Sequence, residues 1–237
     1  MELSWLKDKI NENYDLKIVL KQTGNSFVAV YQHKTLGKKL IVRQCRGSLE
    51  VFKKLKQFRD IHICSIYDVA EADGTLLILE EFIEGTTLAN ILQTRLFTPK
   101  ETVLIAKQIC YGLHVLHSKG IVHRDIKPEN IIFDQNHDNR VIIIDFSAAR
   151  IFKNYHEKDT QVMGTVGYAA PEQFGEAQTD ARSDIYALGI LLNVMLTGAH
   201  PSKCLAKGSL SKIIQKCINP IPSKRFNSVL ELAKKLY

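Results

Sequence analysis

The chain has few of the features that mark secreted, zinc-stabilised or membrane-spanning proteins. Its 237 residues include five cysteines, an odd number, and no two of them form a CxxC pair. Neither a disulfide framework nor a zinc site is therefore indicated, and we expect reduced thiols and a cytoplasmic location. The N-terminal stretch 1–14 is charged and lacks the apolar core of a signal peptide. The longest apolar run, 185–192, includes Gly189 and is too short to cross a bilayer.

A strong excess of one charge is also missing. The formal net charge of +7 is moderate, and no basic stripe is interleaved with aromatic residues. We therefore expect an ordinary solvated surface and no nucleic-acid partner. Apolar residues make up 45% of the composition, which is enough for a sizeable core and too many for a disordered chain. The length suits one large domain or two small lobes.

The first third of the chain is rich in predicted strands. Turn residues and β-favouring runs predict strands on both sides of a turn at 23–26, then at 38–43, 63–69 and 76–83. Between them, apolar residues at helical spacing predict one helix over 48–58. We place the boundary of this strand-rich lobe, residues 1–84, at Glu84-Gly85.

The remainder, residues 85–237, is predicted to be mainly helical. Thr98, Pro99 and Glu101 form a capping box with proline at the first helical position, and Gly120 ends this helix. Ser183 is predicted to cap an almost wholly apolar helix, which should be buried on all sides and form the hub of the lobe. The other predicted elements are two strands flanking the turn 134–140, and helices near 209–218 and 227–236.

The most informative stretch is His-Arg-Asp-Ile-Lys-Pro-Glu-Asn, residues 123–130. Asp125 can orient a hydroxyl and accept its proton, Lys127 can face a transferring phosphate, and Asn130 can hold a metal. Phosphoryl transfer needs such parts because its catalysis is mostly positioning and charge neutralisation. Asp125 and Lys127 leave an extended segment on the same side. The plain alternative is a charged surface loop, and the order of the other segments argues against it.

Five segments in order resemble the eukaryotic-type (Hanks-type) Ser/Thr protein kinases, especially the bacterial ones. They are the 123–130 loop, Asp145-Phe146-Ser147, the run from Gly164-Thr165 to Ala170-Pro171-Glu172, the run from Ser183-Asp184 to Gly189, and Arg225 in Pro-Ser-Lys-Arg-Phe. The resemblance covers nearly the whole chain. It implies an α+β, bilobal protein-kinase-like fold, with a small antiparallel-sheet N-lobe containing one helix and a larger, mainly helical C-lobe.

The resemblance also implies a reaction, in which the gamma phosphate of ATP moves to a Ser or Thr of a protein substrate. Asp125, Lys127 and Asn130 would be catalytic, and Asn130 and Asp145 would hold Mg²⁺, which prefers oxygen ligands. The implied substrate-side and structural residues are Thr165 beside Asp125, Glu172 paired with Arg225, and Asp184 bracing the catalytic loop 123–130. The implied nucleotide contacts are Val28, Ile41, Arg43, Glu81, Ile83 and Ile132.

The phosphate-binding loop departs from the family pattern. Lys21, Thr23 and Ser26 stand where the three loop glycines usually lie, and only the off-pattern Gly24 remains. Because glycine lets the backbone approach phosphates closely, we expect this loop to hold them poorly. Ser147 replaces the glycine after the metal-binding aspartate, which should restrict that turn.

The residues around the implied adenine site differ as well. Arg43 stands in place of the lysine of strand three, and Ile41 in place of a small alanine. Val51 occupies the position of the glutamate that pairs with that lysine, so a bridge from Arg43 to Glu50 would need a local shift. Glu80 falls where the family gates the back of the pocket, and 81–83 would form the hinge.

Three functions therefore stay open. The first, which we favour, is an active Ser/Thr kinase. Its activation segment, 147–164, contains Ser147, Tyr155 and Thr160, and Arg124 could pair with a phosphate placed there. The alternative for each of the three hydroxyl side chains is an ordinary loop hydroxyl. The second is a pseudokinase, a binding or regulatory module with little or no phosphotransfer. The third is a small-molecule kinase, against which the Ala-Pro-Glu segment argues, since that loop builds a peptide platform.

Overall fold

The computed structural model describes residues 3–24, 26–138, 140–152, 165–174 and 179–237. Two compact units are present: Met1–Asp60 with Cys64–Ile83, and Ile61–Ile63 with Glu84–Tyr237. The predicted α+β class is confirmed, since the first unit contains an antiparallel sheet and the second is mainly helical. In the part of the chain described, no helix combines the length and apolar character needed to cross a membrane.

The first unit is built on a five-stranded antiparallel sheet in the order β1-β2-β3-β5-β4. The strands are β1 (Tyr14–Thr23), β2 (Ser26–His33), β3 (Lys39–Cys45), β4 (Ile66–Ala72) and β5 (Thr75–Glu81). The predicted helix is present as α2 (Leu49–Leu55), where Ser48 accepts a hydrogen bond from the Val51 N–H and so caps its first turn. β4 begins three residues later than predicted, because 63–65 lie outside the ladder.

A second helix in this unit, α1 (Leu3–Asn13), was missed at the sequence level, where only one was expected. Leu6 and Ile10, one turn apart, pack against a cluster on the sheet that includes Leu40, Val42 and Leu77. Because the helix is otherwise mostly polar, its sequence resembles a charged, unstructured terminus. The sheet face that stabilises it is supplied by residues 30 or more positions away.

The second unit is organised around α4 (Pro99–Ser118) and α5 (Ala181–Thr197). The predicted capping box of α4 is confirmed, with the Thr98 and Glu101 side chains and backbones bonded reciprocally. The hub helix α5 ends at Gly198, which has φ +70° and so adopts the left-handed conformation that favours glycine. Its predicted cap is wrong: Asp180, not Ser183, caps α5, because the Ser183 hydroxyl donates to Glu172 instead.

Shorter elements complete the second unit. Strands β6 (Gly85–Thr87), β8 (Ile131–Asp134) and β9 (Arg140–Ile143) form one small sheet, and β7 (Ile121–Val122) pairs with β10 (Arg150–Ile151). The remaining helices are α3 (Leu88–Leu92), α6 (Leu210–Cys217) and α7 (Val229–Lys235). These small sheets matter for the site, because β7 leads into the 123–130 loop, β8 leaves it, and β9 ends two residues before Asp145.

Candidate active site

Asp184 anchors the catalytic loop from inside the second unit. Its side chain is fully buried, and its carboxylate accepts hydrogen bonds from the backbone N–H groups of Arg124 (2.7 Å) and His123 (2.9 Å). His117 Nε2 lies 2.8 Å from the same carboxylate. Burial opposes the charge on Asp184, but the bonds from His117 and His123 outweigh it and hold the pKa below its usual value. The loop is therefore fixed to the hub helix by a charged carboxylate.

His123 connects the 123–130 loop to the residue that precedes Asp145. Its Nδ1 accepts the Asp125 N–H at 3.3 Å, and its Nε2 lies 3.1 Å from the carbonyl oxygen of Ile144. These partners assign the neutral tautomer with its proton on Nε2. The ring of Phe146 packs edge-on against the imidazole, 5.3 Å between centroids. His123 thus ties the loop to the strand end that carries Asp145.

Asp125, Lys127 and Thr165 form a closed triangle of hydrogen bonds. Thr165 Oγ1 donates to Asp125 Oδ1 (2.7 Å), and Lys127 Nζ donates to Thr165 Oγ1 (2.6 Å). Lys127 Nζ also lies 2.8 Å from Asp125 Oδ2. Asn130 Nδ2 donates to that oxygen at 3.0 Å and to the Asp125 carbonyl at 2.8 Å. The carboxylate is therefore held in one orientation beside a cation, as a proton acceptor in phosphoryl transfer requires.

Asp145 follows β9 in a left-handed conformation, with φ 62°. The Ile144 N–H donates to the Asn130 carbonyl at 3.0 Å, so the loop and the residue before Asp145 are directly joined. Ser147 donates both its hydroxyl (2.7 Å) and its N–H (3.2 Å) to Asp145 Oδ1. Ser147 itself does not have a positive φ, so its side chain causes no strain of that kind, and its two hydrogen bonds orient the aspartate.

The oxygens of Asn130 and Asp145 suit Mg²⁺. A magnesium ion in kinase-type sites is held by one or two protein oxygens together with substrate phosphates and water. The described residues contain no group of three or more His, Cys, Asp or Glu side chains that could hold a metal by themselves. Because the Asn130 amide nitrogen is engaged by Asp125, the amide oxygen is the atom of that side chain suited to a cation.

Arg124 is predicted to pair with a phosphate on the activation segment. In the structure it is buried and has a left-handed backbone, with φ 68°. Burial, followed by the positive charge of Arg150, lowers its pKa, while Asp184 opposes this change. Gln173 fixes the backbone here by donating from Nε2 to the Arg124 carbonyl at 2.9 Å. Burial and the positive charge of Arg150 thus both disfavour the charged form of Arg124. Of the predicted segment 147–164, residues Tyr155, Thr160 and Gly164 lie outside the described residues.

Glu172 and Arg225 form a buried ion pair in the second unit. Arg225 Nη1 and Nη2 donate to Glu172 Oε1 and Oε2 at 2.6 and 2.8 Å. Ser183 Oγ adds a third bond to the carboxylate at 2.8 Å. This pair connects the segment after Thr165 to the C-terminal part of the unit.

The proposed nucleotide residues of the first unit lie on adjacent strands. Val28 on β2 is paired with Arg43 on β3, and Ile41 on β3 is paired with Glu80 on β5. Arg43 is buried, and its guanidinium bonds to the Glu80 carboxylate. Glu50 is exposed and takes part in no ion pair within the described part of the chain.

The other predicted nucleotide residues are divided between the end of β5, the segment that follows it, and β8. The backbone N–H of Glu81 donates to the Ser65 carbonyl at 2.9 Å, and its own carbonyl lies 3.6 Å from the thiol sulfur of Cys64. Ile83 follows β5 in an irregular segment, while Ile132 lies on β8 of the second unit.

The β1–β2 hairpin remains paired almost to its tip. Lys21 is opposite Val28, and Thr23 is opposite Ser26, so the ladder includes the positions where kinase loops usually have glycine. Gly24 has open space around it, with no atom within 4 Å of a Cβ built there. The described part of this turn is a regular hairpin end, with side chains where a glycine-rich loop would expose its backbone.

Sequence reasoning missed two supporting residues, His117 and Gln173, and it gave Ser183 the role of a helix cap and not that of a donor to Glu172. His117 is 67 residues from Asp184, and Gln173 is 49 residues from Arg124. No local pattern indicates such contacts, because each depends on how distant segments pack. The nearest signal is the position of Gln173 beside Glu172, in a segment that was already assigned to the site.

The comparisons with known proteins agree with this geometry. A family model described as "Protein kinase domain" matches residues 16–236. A probable myosin light chain kinase of Dictyostelium discoideum is 29% identical over 216 residues, which cover 90% of this chain and 61% of that protein. The serine/threonine-protein kinase PknH of Mycobacterium tuberculosis is 35% identical over 170 residues, 70% of this chain and 26% of PknH.

PknB, another serine/threonine-protein kinase of M. tuberculosis, is 39% identical over 147 residues, 59% of this chain and 23% of PknB. The matched region thus spans less than two thirds of each of these relatives.

Proposed function

The chain belongs to the protein kinase domain family, among its bacterial-type Ser/Thr members, and we propose that it transfers the gamma phosphate of ATP to a Ser or Thr hydroxyl of a protein substrate. The observation that carries this proposal is the triangle of Asp125, Lys127 and Thr165, with Asn130 bonded to the same aspartate. A binding module would have no chemical need for a carboxylate held this way beside a lysine.

Each residue has one step to perform. Asp125 orients the acceptor hydroxyl and takes its proton as the hydroxyl oxygen bonds to the gamma phosphorus, while the bond from that phosphorus to the bridging oxygen breaks and ADP leaves. Lys127 offsets the negative charge on the phosphoryl group in transit. Asn130 and Asp145 would hold Mg²⁺ through their side-chain oxygens, and the ion would supply positive charge to offset that of the phosphates. Thr165 joins Asp125 to the segment that continues to Glu172, and so couples the catalytic carboxylate to the proposed peptide platform.

We also propose that residues 1–84 bind the nucleotide and residues 85–237 carry the catalytic and substrate-positioning groups. Val28, Ile41, Glu81, Ile83 and Ile132 would contact the adenosine, and Arg43 the phosphates. Because the β1–β2 hairpin is paired as far as Thr23 and Ser26, we expect its backbone to offer few N–H groups to phosphate and the KM for ATP to be high.

We propose a cytoplasmic location as well. All five cysteines are unbridged, which supports a reducing compartment such as the cytoplasm.

Activation by phosphorylation is part of the proposal. Arg124 and Arg150 together could receive a phosphate carried by the activation segment. The Ser147 hydroxyl already donates to Asp145, which disfavours it as the acceptor. Tyr155 and Thr160 are therefore the preferred positions, and mapping of phosphopeptides after autophosphorylation tests them.

The second candidate function is a pseudokinase. The observations that favour it are the paired hairpin tip and the engagement of Arg43 by Glu80. Both concern nucleotide binding, whereas the residues hardest to replace in phosphoryl transfer, Asp125, Asn130 and Asp145, are all present. We therefore favour the enzyme.

The deciding experiment measures phosphate transfer from labelled ATP with Mg²⁺, by the wild type and by Asp125→Asn, with a thermal-shift titration of ATP on both. We expect Asp125→Asn to lose at least about 100-fold in transfer, the typical contribution of a positioned base, and to keep nucleotide binding. No transfer and no thermal shift for the wild type would favour the pseudokinase. Equal loss of transfer and binding in the mutant would refute the role given to Asp125.

A further inference from the structure

The strongest unexplained feature is an ion pair buried within the sheet of the first unit. Arg43 Nε donates to Glu80 Oε1 at 2.7 Å, and Arg43 Nη2 donates to Glu80 Oε2 at 3.2 Å. The two side chains are only 8% and 4% exposed. A two-pronged contact of this kind, shielded from water, strongly restricts the orientation of the guanidinium.

The register of the sheet explains why these two residues meet. Ile41 is directly opposite Glu80, and Arg43 is two positions further along β3. Side chains two apart on a strand share a face, so Arg43 and Glu80 are diagonal neighbours on one face of the sheet. Such a diagonal is within reach of a long side chain, and the planar fork of arginine matches a carboxylate with two parallel bonds. Lysine has its donors on a single nitrogen, so it cannot make two parallel bonds from separate nitrogen atoms.

The helix in this unit provides no equivalent partner. In protein kinases generally, the strand-three lysine pairs with a glutamate on a helix, and positioning of that helix controls activity. Here Val51 is fully buried, and Glu50 is exposed and without an ion pair in the described chain. The charged partner of Arg43 on β3 is therefore Glu80 on β5, within the sheet, and not a glutamate on α2.

We propose that Glu80 is the positioning residue for Arg43 in phosphate binding, so that the cation is oriented by the sheet itself and not by α2. The inference rests on the proposed function, because Arg43 is taken to contact the phosphates of ATP. Two consequences distinguish this pair from a purely structural one. Changes at Glu80 should alter nucleotide affinity, and changes at Glu50 should not.

The test is a calorimetric titration of Mg·ATP, with steady-state kinetics, on five proteins well below their unfolding temperatures. They are the wild type, Glu80→Gln, Arg43→Lys, the double variant Arg43→Lys/Glu80→Gln, and Glu50→Gln as the matched control. Glu80→Gln should weaken ATP binding about tenfold and raise KM more than it lowers kcat, because one charged partner is lost. Glu50→Gln should bind within about twofold of the wild type.

The double variant decides whether the residues act together. Arg43→Lys should also weaken binding, although lysine is the usual kinase residue, because it loses one of its two bonds to Glu80. The double variant should then be no more than about twofold weaker than the worse single variant. If the double variant instead shows the product of the two single losses in ATP affinity, the residues act independently and the inference is overturned.

Other outcomes separate this inference from the proposed function. If the wild type binds ATP and Glu80→Gln binds equally well, Glu80 is not a positioning residue, while the kinase proposal stands. If Glu80→Gln lowers the thermal stability and leaves the affinity for ATP unchanged, the pair is only structural and the inference also fails. If the wild type neither binds ATP nor transfers phosphate, the proposed function fails, and this inference fails with it.

A second variant covers the case in which Glu80→Gln does not fold. Glu80→Asp keeps the negative charge on a shorter side chain, and it should show a smaller loss of affinity for ATP.

Discussion

Replacing Arg225 by alanine tests how the second unit is held together. All five N–H groups of this guanidinium are used. Nε donates to the Asn219 carbonyl (2.7 Å), Nη1 to Glu172 and the Arg182 carbonyl (2.6 and 2.9 Å), and Nη2 to Glu172 and the Pro220 carbonyl (2.8 and 3.3 Å). The side chain itself is 0% exposed. Its removal leaves a buried carboxylate and three carbonyl groups without this donor.

The expected cost follows from the burial. Breaking a buried ion pair by removing one partner costs about 3–5 kcal/mol, because the remaining charge is stranded in a poor solvent. For a unit of this size each kcal/mol lowers Tm by about 2–4 °C, so Arg225→Ala should lose roughly 6–20 °C. Ser183 still donates to Glu172, which softens the loss without replacing the positive charge.

The assay is thermal and urea unfolding followed by circular dichroism at about 222 nm, which reports the helices, most of which lie in the second unit. Lys216→Ala is the matched control, since it removes a cation from an exposed pair with Glu231 at 3.4 Å. That pair should contribute less than about 1 kcal/mol. The double change Arg225→Met/Glu172→Met should destabilise less than Arg225→Ala, because no charge is stranded. A Tm for Arg225→Ala equal to that of Lys216→Ala would refute the reasoning.

Two further predictions concern the hub helix. Folding lowers the pKa of Asp184, so its negative charge stabilises the native state at any pH above the ordinary aspartate pKa of about 4. This contribution is lost as the pH falls through the lowered pKa of the folded state. The difference in unfolding free energy between wild type and Asp184→Asn should therefore shrink below about pH 4, and a constant difference would contradict the assignment. Gly189→Ala should destabilise by about 1–3 kcal/mol in urea unfolding, because its Cβ would lie 2.4 Å from Cys217 Cβ. Gly24→Ala, with open space around it, is the control, and equal stability of the two variants would show that α5 and α6 can separate without cost.

Local chemistry made much of the fold predictable. The capping box of α4 depends on Thr98 and Glu101, three residues apart, and the end of α5 depends on a left-handed Gly198. Such bonds close within one turn, so the residues that form them are neighbours in the sequence. The segments that carry the kinase resemblance could be recognised for a related reason, since the 123–130 loop brings Asp125, Lys127 and Asn130 together within six residues.

Features that depend on packing were less predictable. Helix α1 was missed because Leu6 and Ile10 are stabilised by a sheet face built from β3, β4 and β5. Ser183 and Asp180 are both good capping residues, and the choice between them depended on Glu172, eleven residues before Ser183, accepting the serine hydroxyl. The left-handed backbone of Asp145 has no clear local signal beyond the tolerance of aspartate for that conformation.

The sequence by itself determined the class of the fold, the family and the chemical types at the proposed site, because strand patterns, caps and short motifs act over a few residues. Only the tertiary structure decided which charges are paired. Arg43 is 37 residues from Glu80, and Glu172 is 53 residues from Arg225. A buried charge needs a partner wherever the fold places one, and that choice depends on strand register and helix packing, which no short stretch of sequence contains.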